Sequence, residues 1–181
     1  LIERFGETAC ILHDPAMGDH GRLYSGISPE LVQAHRRICA RADLILPNLT
    51  ESCLMTGAQY REDYDESYIG EVLSRLHSMG MKCVVLTGVS YRPEETGVVI
   101  SDGTATQYYR HPKLSRSYHG TGDIYASAFV GAWMGGKTMA EAVKIAADYA
   151  CECIKATIDD ETHWYGTKFE SVLPKLMESL K

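Results

Sequence analysis

The stretch His119-Gly120-Thr121-Gly122-Asp123, followed by the small and apolar residues 124–132, decides the fold of this chain. Two glycines around a threonine predict a tight turn, and the apolar run after them predicts a buried helix. The first backbone N–H groups of such a helix have no partner within it, and they lie at the positive end of the helix dipole. The turn is therefore expected to bind an anion such as a phosphate group.

Asp123 falls in the first turn of this predicted helix. A carboxylate is favourable there by itself, but phosphate bound to the same turn would repel it. The combination makes chemical sense if Asp123 accepts a proton from an attacking hydroxyl group while the amides stabilise the charge on a transferred phosphoryl group. The alternative is an ordinary helix N-terminus with Asp123 as a cap and glycines for close packing, and the turn alone favours that alternative.

The composition indicates one globular domain, because 45% of the 181 residues are hydrophobic and no low-complexity tract interrupts them. The net charge is −6 and no more than two basic residues are adjacent, which argues against a nucleic-acid partner. No apolar run approaches the roughly 20 residues that span a bilayer, and no signal-peptide pattern opens the chain. We therefore expect a cytoplasmic protein that does not contact a membrane.

The cysteine pattern supports neither a zinc site nor a disulfide framework, because no C-x-x-C pair occurs. We expect these side chains to be small buried hydrophobic groups in a reducing compartment. The six cysteines are Cys10, Cys39, Cys53, Cys83, Cys151 and Cys153.

Three short apolar segments, residues 9–13, 42–46 and 82–86, predict buried parallel strands, and polar residues follow each of them. Ligands of open α/β sheets bind outside the carboxyl ends of the strands, so this edge is the expected site. For the loop 14–24 the alternative is an ordinary turn with solvated acids. The polar residues at the three strand ends are Asp14, Asp19, Asn48, Glu51, Thr87 and Gly88.

Helices are predicted between and after these strands. Residues 29–40 follow Ser28 as N-cap, Thr50 is the candidate cap of a helix that stops near Gly57, and residues 64–79 end at Gly80. Thr138 and Glu141 form a capping box for a long helix to about residue 158, and residues 167–180 form a terminal helix.

The dipeptide Asp102-Gly103 predicts a hairpin turn between two strands over residues 97–109. With the parallel strands and their helices, it predicts an α/β fold with a mostly parallel sheet flanked by helices and an antiparallel hairpin near residues 97–109.

Residues 131–138 match the P-loop string G-x-x-x-x-G-K-[ST]. A P-loop needs a strand before it and its glycines in a loop. Here Gly131 lies inside the predicted helix that follows the turn, and Thr138 already caps the next helix. The match is therefore rejected.

Three strings together resemble the ribokinase-like superfamily, and most of all its vitamin B6 branch, the pyridoxal/pyridoxamine kinases. They occur in the order and at the spacing of that family, and the resemblance covers essentially all 181 residues. His119 and the run 125–129 favour the pyridoxamine kinases. The strings are Asp14-Pro15-Ala16-Met17-Gly18-Asp19, Pro47-Asn48-Leu49-Thr50-Glu51 and Gly120-Thr121-Gly122-Asp123.

The resemblance implies an ATP-dependent kinase that phosphorylates the 5′-hydroxymethyl group of a B6 vitamer, as a homodimer. It implies that Asp123 deprotonates this hydroxyl group and that the amides of Gly120, Thr121 and Gly122 form the anion hole. The hairpin 98–109 and the segment to Lys113 would flank adenine and ribose. The resemblance places Mg²⁺ at Asp14, Asp19 and Glu51, largely through water, and the nucleotide at Asp14, Asn48, Glu51, Thr87 and Gly88.

The chain departs from the family pattern in two respects. The family often has a threonine two residues before the asparagine, at a monovalent-cation site, but this chain has Leu46, which leaves a K⁺ requirement open. The family's N-terminal part, with most of the vitamin pocket and a covering lid, has no counterpart here. Residues 1–5 predict the last turn of a helix closed by Gly6, so we expect a single kinase domain represented by its C-terminal two-thirds, which by itself would be inactive.

Two other functions remain open. Hydroxymethylpyrimidine kinase of thiamin synthesis fits the same motifs, because the residues that distinguish the two substrates lie mostly in the missing part. A non-catalytic nucleotide-binding module that acts through a partner is the alternative from a different class.

Overall fold

The protein is described by a computed structural model that covers residues 2–6 and 8–181. The strands are β1 (Leu12–His13), β2 (Gly18–Asp19), β3 (Arg22–Leu23), β4 (Leu44–Ile45), β5 (Val84–Val89), β6 (Glu95–Ser101) and β7 (Thr106–Pro112). The helices are α1 (Ile2–Phe5), α2 (Pro29–Cys39), α3 (Leu49–Thr56), α4 (Glu66–Ser78), α5 (Thr121–Met134), α6 (Met139–Thr157) and α7 (Leu173–Ser179), with a 3₁₀ turn at Glu170–Val172.

Five strands form one sheet in the order β1-β4-β5-β6-β7. The first three pair in parallel, with Leu12 opposite Leu44 and Ile45 opposite Val84. β6 pairs antiparallel with β5, and a four-residue turn at 102–105 connects it to its neighbour β7. The predicted α/β fold and its hairpin are confirmed. The chain passes from β5 directly into β6, as the predicted hairpin after the third parallel strand requires.

A second, two-stranded antiparallel sheet pairs β2 with β3, where the sequence predicts only a loop. The turn between them consists of His20 at φ +50° and Gly21 at φ +74°. Two successive residues with positive φ form the tight turn that matches the twist of a hairpin. The prediction was wrong here because histidine rarely takes the first of these positions, and the strands are only two residues long.

One compact unit contains the chain up to Arg92 and residues 96–108. Its core is formed by apolar side chains of α2, α3, α4 and the central strands, such as Val72, Leu76, Val84 and Leu86. Helix α3 begins at Asn48 and not at the predicted cap Thr50. Asn48 has extended backbone (φ −86°, ψ 176°), and its side chain accepts the N–H of Glu51, whereas Thr50 lies inside the helix.

The second compact unit contains residues 93–95 and the chain from 109 onward. In it α5 packs against α6 after a four-residue connection. Gly131 lies inside α5, so the rejection of the P-loop is confirmed, as is the Thr138–Glu141 capping box of α6. The predicted terminal helix is divided into the 3₁₀ turn and α7, which has Pro174 in its first turn. The expectation of a single domain stays a prediction.

The remaining predictions concern the chain start and the cysteines. Residues Ile2–Phe5 are helical and the N–H of Gly6 donates to the carbonyl of Ile2, while Leu1 lies outside the described residues. All six cysteines are free, and Cys39, Cys53 and Cys153 are buried as predicted. The prediction is wrong for the other three: Cys83 and Cys151 are only half-buried, and Cys10 is exposed because it precedes β1 and stays outside the core. None of the helices in the described parts of the chain is long and apolar enough to cross a membrane.

Candidate functional site

The ends of neighbouring strands bring several of the predicted site residues together. Asn48 follows β4 and forms a parallel bridge with Thr87, which lies in β5. The N–H of Thr87 also donates to the carbonyl of Pro47 at 2.9 Å. Asp14 follows β1 directly, and its charge acts on Glu51. The predicted convergence of strand-end residues thus holds for Asp14, Asn48, Glu51 and Thr87 within this compact unit.

Glu51 is 3% exposed, and the protein itself uses both of its carboxylate oxygens. Oε1 accepts the N–H of Met17 at 2.9 Å, and Oε2 accepts the N–H of Asn48 at 2.8 Å. Burial raises the pKa of Glu51 to about 7, and the nearby negative charge of Asp14 raises it further. The hydrogen bonds from the backbone N–H groups lower this pKa and oppose part of the shift. Glu51 therefore joins the loop after β1 to the N-terminus of α3, and each of its oxygens accepts a backbone N–H.

Asp14 and Asp19 are the more accessible acids of this region. Asp14 is half-buried, whereas the side chain of Asp19 is 52% exposed at the end of β2. One oxygen of Asp19 accepts the N–H of His20 at 2.8 Å, and the other lies 3.6 Å from the His20 Nε2. These two carboxylates are oxygen donors of the kind that Mg²⁺ prefers.

The described residues contain no group of three or more His, Cys, Asp or Glu side chains that would hold a metal ion by themselves. Mg²⁺ is commonly bound by one or two carboxylates together with water and substrate phosphates. Asp14 and Asp19 fit that arrangement, with Glu51 fixing the loop that carries them. A closed protein cage for the ion does not fit these residues.

Gly88 produces an irregularity in β5, where the pairing with β6 shifts between Thr87 and Val89. Its φ of +71° is a conformation that other residues rarely adopt, although a Cβ at Gly88 would lie in open space. Gly88 is exposed and Thr87 half-buried, and the hydroxyl of Thr87 donates to the carbonyl of Pro47 at 3.4 Å. The backbone beside Gly88 is thus open to a ligand at the strand end.

The N-terminus of α5 is capped by a glycine. Gly120 has φ +80° and ψ 0°, and no side chain caps this helix. The N–H of Thr121 is directed at the carbonyl of Tyr118 at 3.4 Å, and the Thr121 hydroxyl donates to the same carbonyl at 2.7 Å. Among the described residues, the next N–H groups, those of Gly122 and Asp123, have no backbone or side-chain acceptor. The free N–H groups of the turn therefore include that of Asp123, which is not among the three amides that the family resemblance assigns to the anion hole.

The carboxylate of Asp123 is exposed at this turn. A Cβ placed on Gly120 would lie 3.9 Å from Oδ2 of Asp123, so the carboxylate folds back toward the glycine. The helix N-terminus thus presents free amides and an accessible carboxylate side by side. This arrangement can hold an anion and accept a proton at neighbouring positions.

Two tyrosines on either side of this turn in the chain were not identified from the sequence. In the described part of the chain the hydroxyl groups of Tyr118 and Tyr125 are buried without a hydrogen-bond partner. Burial also raises the pKa of Tyr125. A buried hydroxyl without a partner costs about 1–3 kcal/mol.

Comparison with known proteins decides the family. A profile of the phosphomethylpyrimidine kinases matches residues 6–167. The chain belongs to this family. The resemblance of the three sequence strings to the ribokinase-like pyridoxal kinases is thereby confirmed, and the similar proteins described next support it as well.

Among its relatives, a pyridoxal kinase from Dictyostelium discoideum is 28% identical over 83% of this chain and 51% of its own length. A hydroxymethylpyrimidine/phosphomethylpyrimidine kinase from Aquifex aeolicus is 27% identical over 62% of this chain and 44% of its own length. The chain therefore spans about half the length of the curated relatives it matches.

Two solved structures share the fold at significant identity. A Bacteroides thetaiotaomicron protein described as a phosphomethylpyrimidine kinase, crystallised with pyridoxal, is 31% identical with a TM-score of 0.87, covering 97% of this chain and 64% of that one. The pyridoxal kinase of Leishmania donovani, in complex with ADP and pyridoxamine, is 27% identical with a TM-score of 0.78, covering 92% of this chain and 58% of that one.

Proposed function

We propose that the protein containing this chain is an ATP-dependent kinase that phosphorylates the 5′-hydroxymethyl group of a B6 vitamer. The observation that carries the proposal is the N-terminus of α5, where free amides lie beside the exposed carboxylate of Asp123. Phosphoryl transfer needs charge stabilisation and positioning more than any covalent chemistry of the protein, and this turn supplies both.

In the proposed reaction the hydroxyl oxygen of the vitamer attacks the γ-phosphorus of ATP. The new O–P bond forms as the bond to the ADP oxygen breaks, and Asp123 accepts the hydroxyl proton. The charge on the transferred group is stabilised by backbone N–H groups of the turn that have no other acceptor. The candidates are those of Gly120, Thr121, Gly122 and Asp123. Because the N–H of Thr121 is directed at the carbonyl of Tyr118, we expect the N–H groups of Gly122 and Asp123 to contribute most to this stabilisation.

The strand-end residues would hold the nucleotide and its metal ion. Asp14 and Asp19 would bind Mg²⁺, which neutralises phosphate charge when present, and Glu51 would keep their loop in place through Met17. Asn48, Thr87 and Gly88 would lie along the nucleotide. The Leishmania donovani relative with bound ADP supports a nucleotide site in this fold.

A B6 vitamer is the preferred acceptor because the Bacteroides relative was crystallised with pyridoxal and the Leishmania donovani relative with ADP and pyridoxamine. Hydroxymethylpyrimidine is the second candidate, favoured by the family match itself. We also propose a homodimer, which sedimentation of the full-length protein would test.

The test is Mg-ATP-dependent phosphorylation of pyridoxal, pyridoxamine and hydroxymethylpyrimidine by the full-length protein, beside the 181-residue chain. Transfer to a B6 vitamer at a higher kcat/KM than to the pyrimidine supports the proposal, and the reverse preference replaces the acceptor. Binding of Mg-ATP without transfer to any acceptor would leave a nucleotide-binding module and remove Asp123 as the base.

A further inference from the structure

We propose that Thr50 is a positioning residue that fixes the β2–β3 hairpin, and with it the carboxylate of Asp19, to the N-terminus of α3. This inference rests on the proposed function, in which Asp19 binds the metal of Mg-ATP. Thr50 itself is 2% exposed and its hydroxyl accepts the Gly21 N–H, so its role is exerted through the hairpin.

Three side chains from the start of α3 bind the backbone of the hairpin segment. The amide of Asn48 donates to the carbonyl of Gly18 at 2.8 Å, and Glu51 accepts the N–H of Met17 at 2.9 Å. The hydroxyl of Thr50 accepts the N–H of Gly21 at 2.9 Å. The first two bonds hold the beginning of the hairpin, whereas the Thr50 bond joins its turn to α3.

The hairpin backbone is closely packed, at Gly18 against its own second strand and at Gly21 against Tyr60. A Cβ on Gly18 would lie 2.4 Å from the carbonyl oxygen of Arg22, and one on Gly21 would lie 2.6 Å from the ring of Tyr60. Close packing limits the positions that the turn can take, and the Thr50 hydrogen bond joins the turn to α3 in the position observed. Asp19 is two residues before Gly21 and pairs with Arg22 across the hairpin, so its carboxylate moves with the turn.

Thr50 is separable from the other two anchors. Asn48 and Glu51 also form the capping box of α3, so changing either of them weakens the helix as well as the hairpin. Thr50 is not part of that box. Its hydroxyl can therefore be removed with a specific effect on the turn, which makes it the informative position.

The experiment compares Thr50→Val, which removes the hydroxyl at nearly constant shape, with Thr50→Ser, which keeps it, in the full-length protein. Thr56→Val is the matched control on the same helix, because the Thr56 hydroxyl donates to the Ser52 carbonyl within α3. For each variant we measure the hydrogen-exchange rate of the Gly21 amide. We also measure KM for Mg-ATP and kcat separately, so that an effect on one can be distinguished from an effect on the other. Should Thr50→Val not fold, Thr50→Ala is measured in the same way.

We expect Thr50→Val to raise the exchange rate of the Gly21 amide and the KM for Mg-ATP about five-fold, with kcat at saturation nearly unchanged. Thr50→Ser and Thr56→Val should resemble the wild type in both measurements. Unchanged Gly21 exchange in Thr50→Val, an equal loss in Thr50→Ser, or a KM that does not move would overturn the inference. If the wild type transfers no phosphate, the proposed function fails, and the exchange of Gly21 alone still decides whether Thr50 holds the turn.

Discussion

Helices α3 and α5 differ in how their N-termini are capped. At α3, Asn48 and Glu51 satisfy each other's backbone groups in a capping box that is largely buried. At α5, Gly120 provides no side chain, and the adjoining amides and Asp123 are exposed. A helix start whose amides the protein itself occupies organises structure, whereas one that is left uncapped is available to an anion. In the proposed function, α3 positions the site residues and α5 carries the chemistry.

The largest effect is expected from Asp123→Asn. We expect kcat of the full-length protein to fall by about 10²–10⁴-fold, because the amide cannot accept the hydroxyl proton. Binding of Mg-ATP, measured by calorimetry, should stay near the wild-type value. Unchanged turnover would show that the exposed helix start carries no base and would remove the contrast with α3.

The ionisation of Glu51 should appear in the pH dependence of stability. Its pKa is raised to about 7 from 4.5, so the folded state binds this proton more tightly than the unfolded state. The contribution to stability is therefore fully present below about pH 4.5 and is lost as the pH rises through 7, on the order of 2–3 kcal/mol. Urea unfolding of the wild type and of Glu51→Gln between pH 5 and 8 measures it. Parallel pH profiles for the two proteins would contradict the assignment.

Gly120→Ala and Gly57→Ala separate backbone strain from function. Both glycines have positive φ, +80° at the start of α5 and +71° at the end of α3, so each substitution should cost about 1–2 kcal/mol of stability. Only Gly120→Ala should also lower kcat, because it distorts the turn that is proposed to hold the phosphate. Thermal unfolding and steady-state kinetics of the two variants are compared, and an equal loss of kcat in both would argue against an anion site at α5.

The smallest effect is expected from the caps themselves. Asn48→Ala should cost about 1–2 kcal/mol in urea unfolding, because it removes the cap of α3 and the bond to Gly18. Thr138→Ala, at the exposed capping box of α6, should cost about 0.5–1 kcal/mol. A larger loss at Thr138 than at Asn48 would mean that burial does not strengthen the α3 cap.

Several elements could be predicted because their signals are local. The turn at Gly120, the Thr138–Glu141 box, the left-handed Gly57 and the Asp102-Gly103 hairpin each depend on residues within about five positions of one another. Backbone conformation and short-range hydrogen bonds are encoded at that range.

The roles of Thr50 and Glu51, in contrast, were decided by tertiary structure. Thr50 has the residue type of an N-cap, yet it bonds Gly21, which is 29 positions away. Glu51 has the residue type of a metal ligand, yet its oxygens accept the N–H groups of Met17, 34 positions away, and of Asn48. A sequence pattern states which groups can form hydrogen bonds, but only packing determines which of them are buried together and leave the solvent. The sequence by itself thus determined the fold class and the starts of α2 and α6, whereas the packing of β2–β3 on α3 determined that Glu51 is buried while Asp19 is exposed.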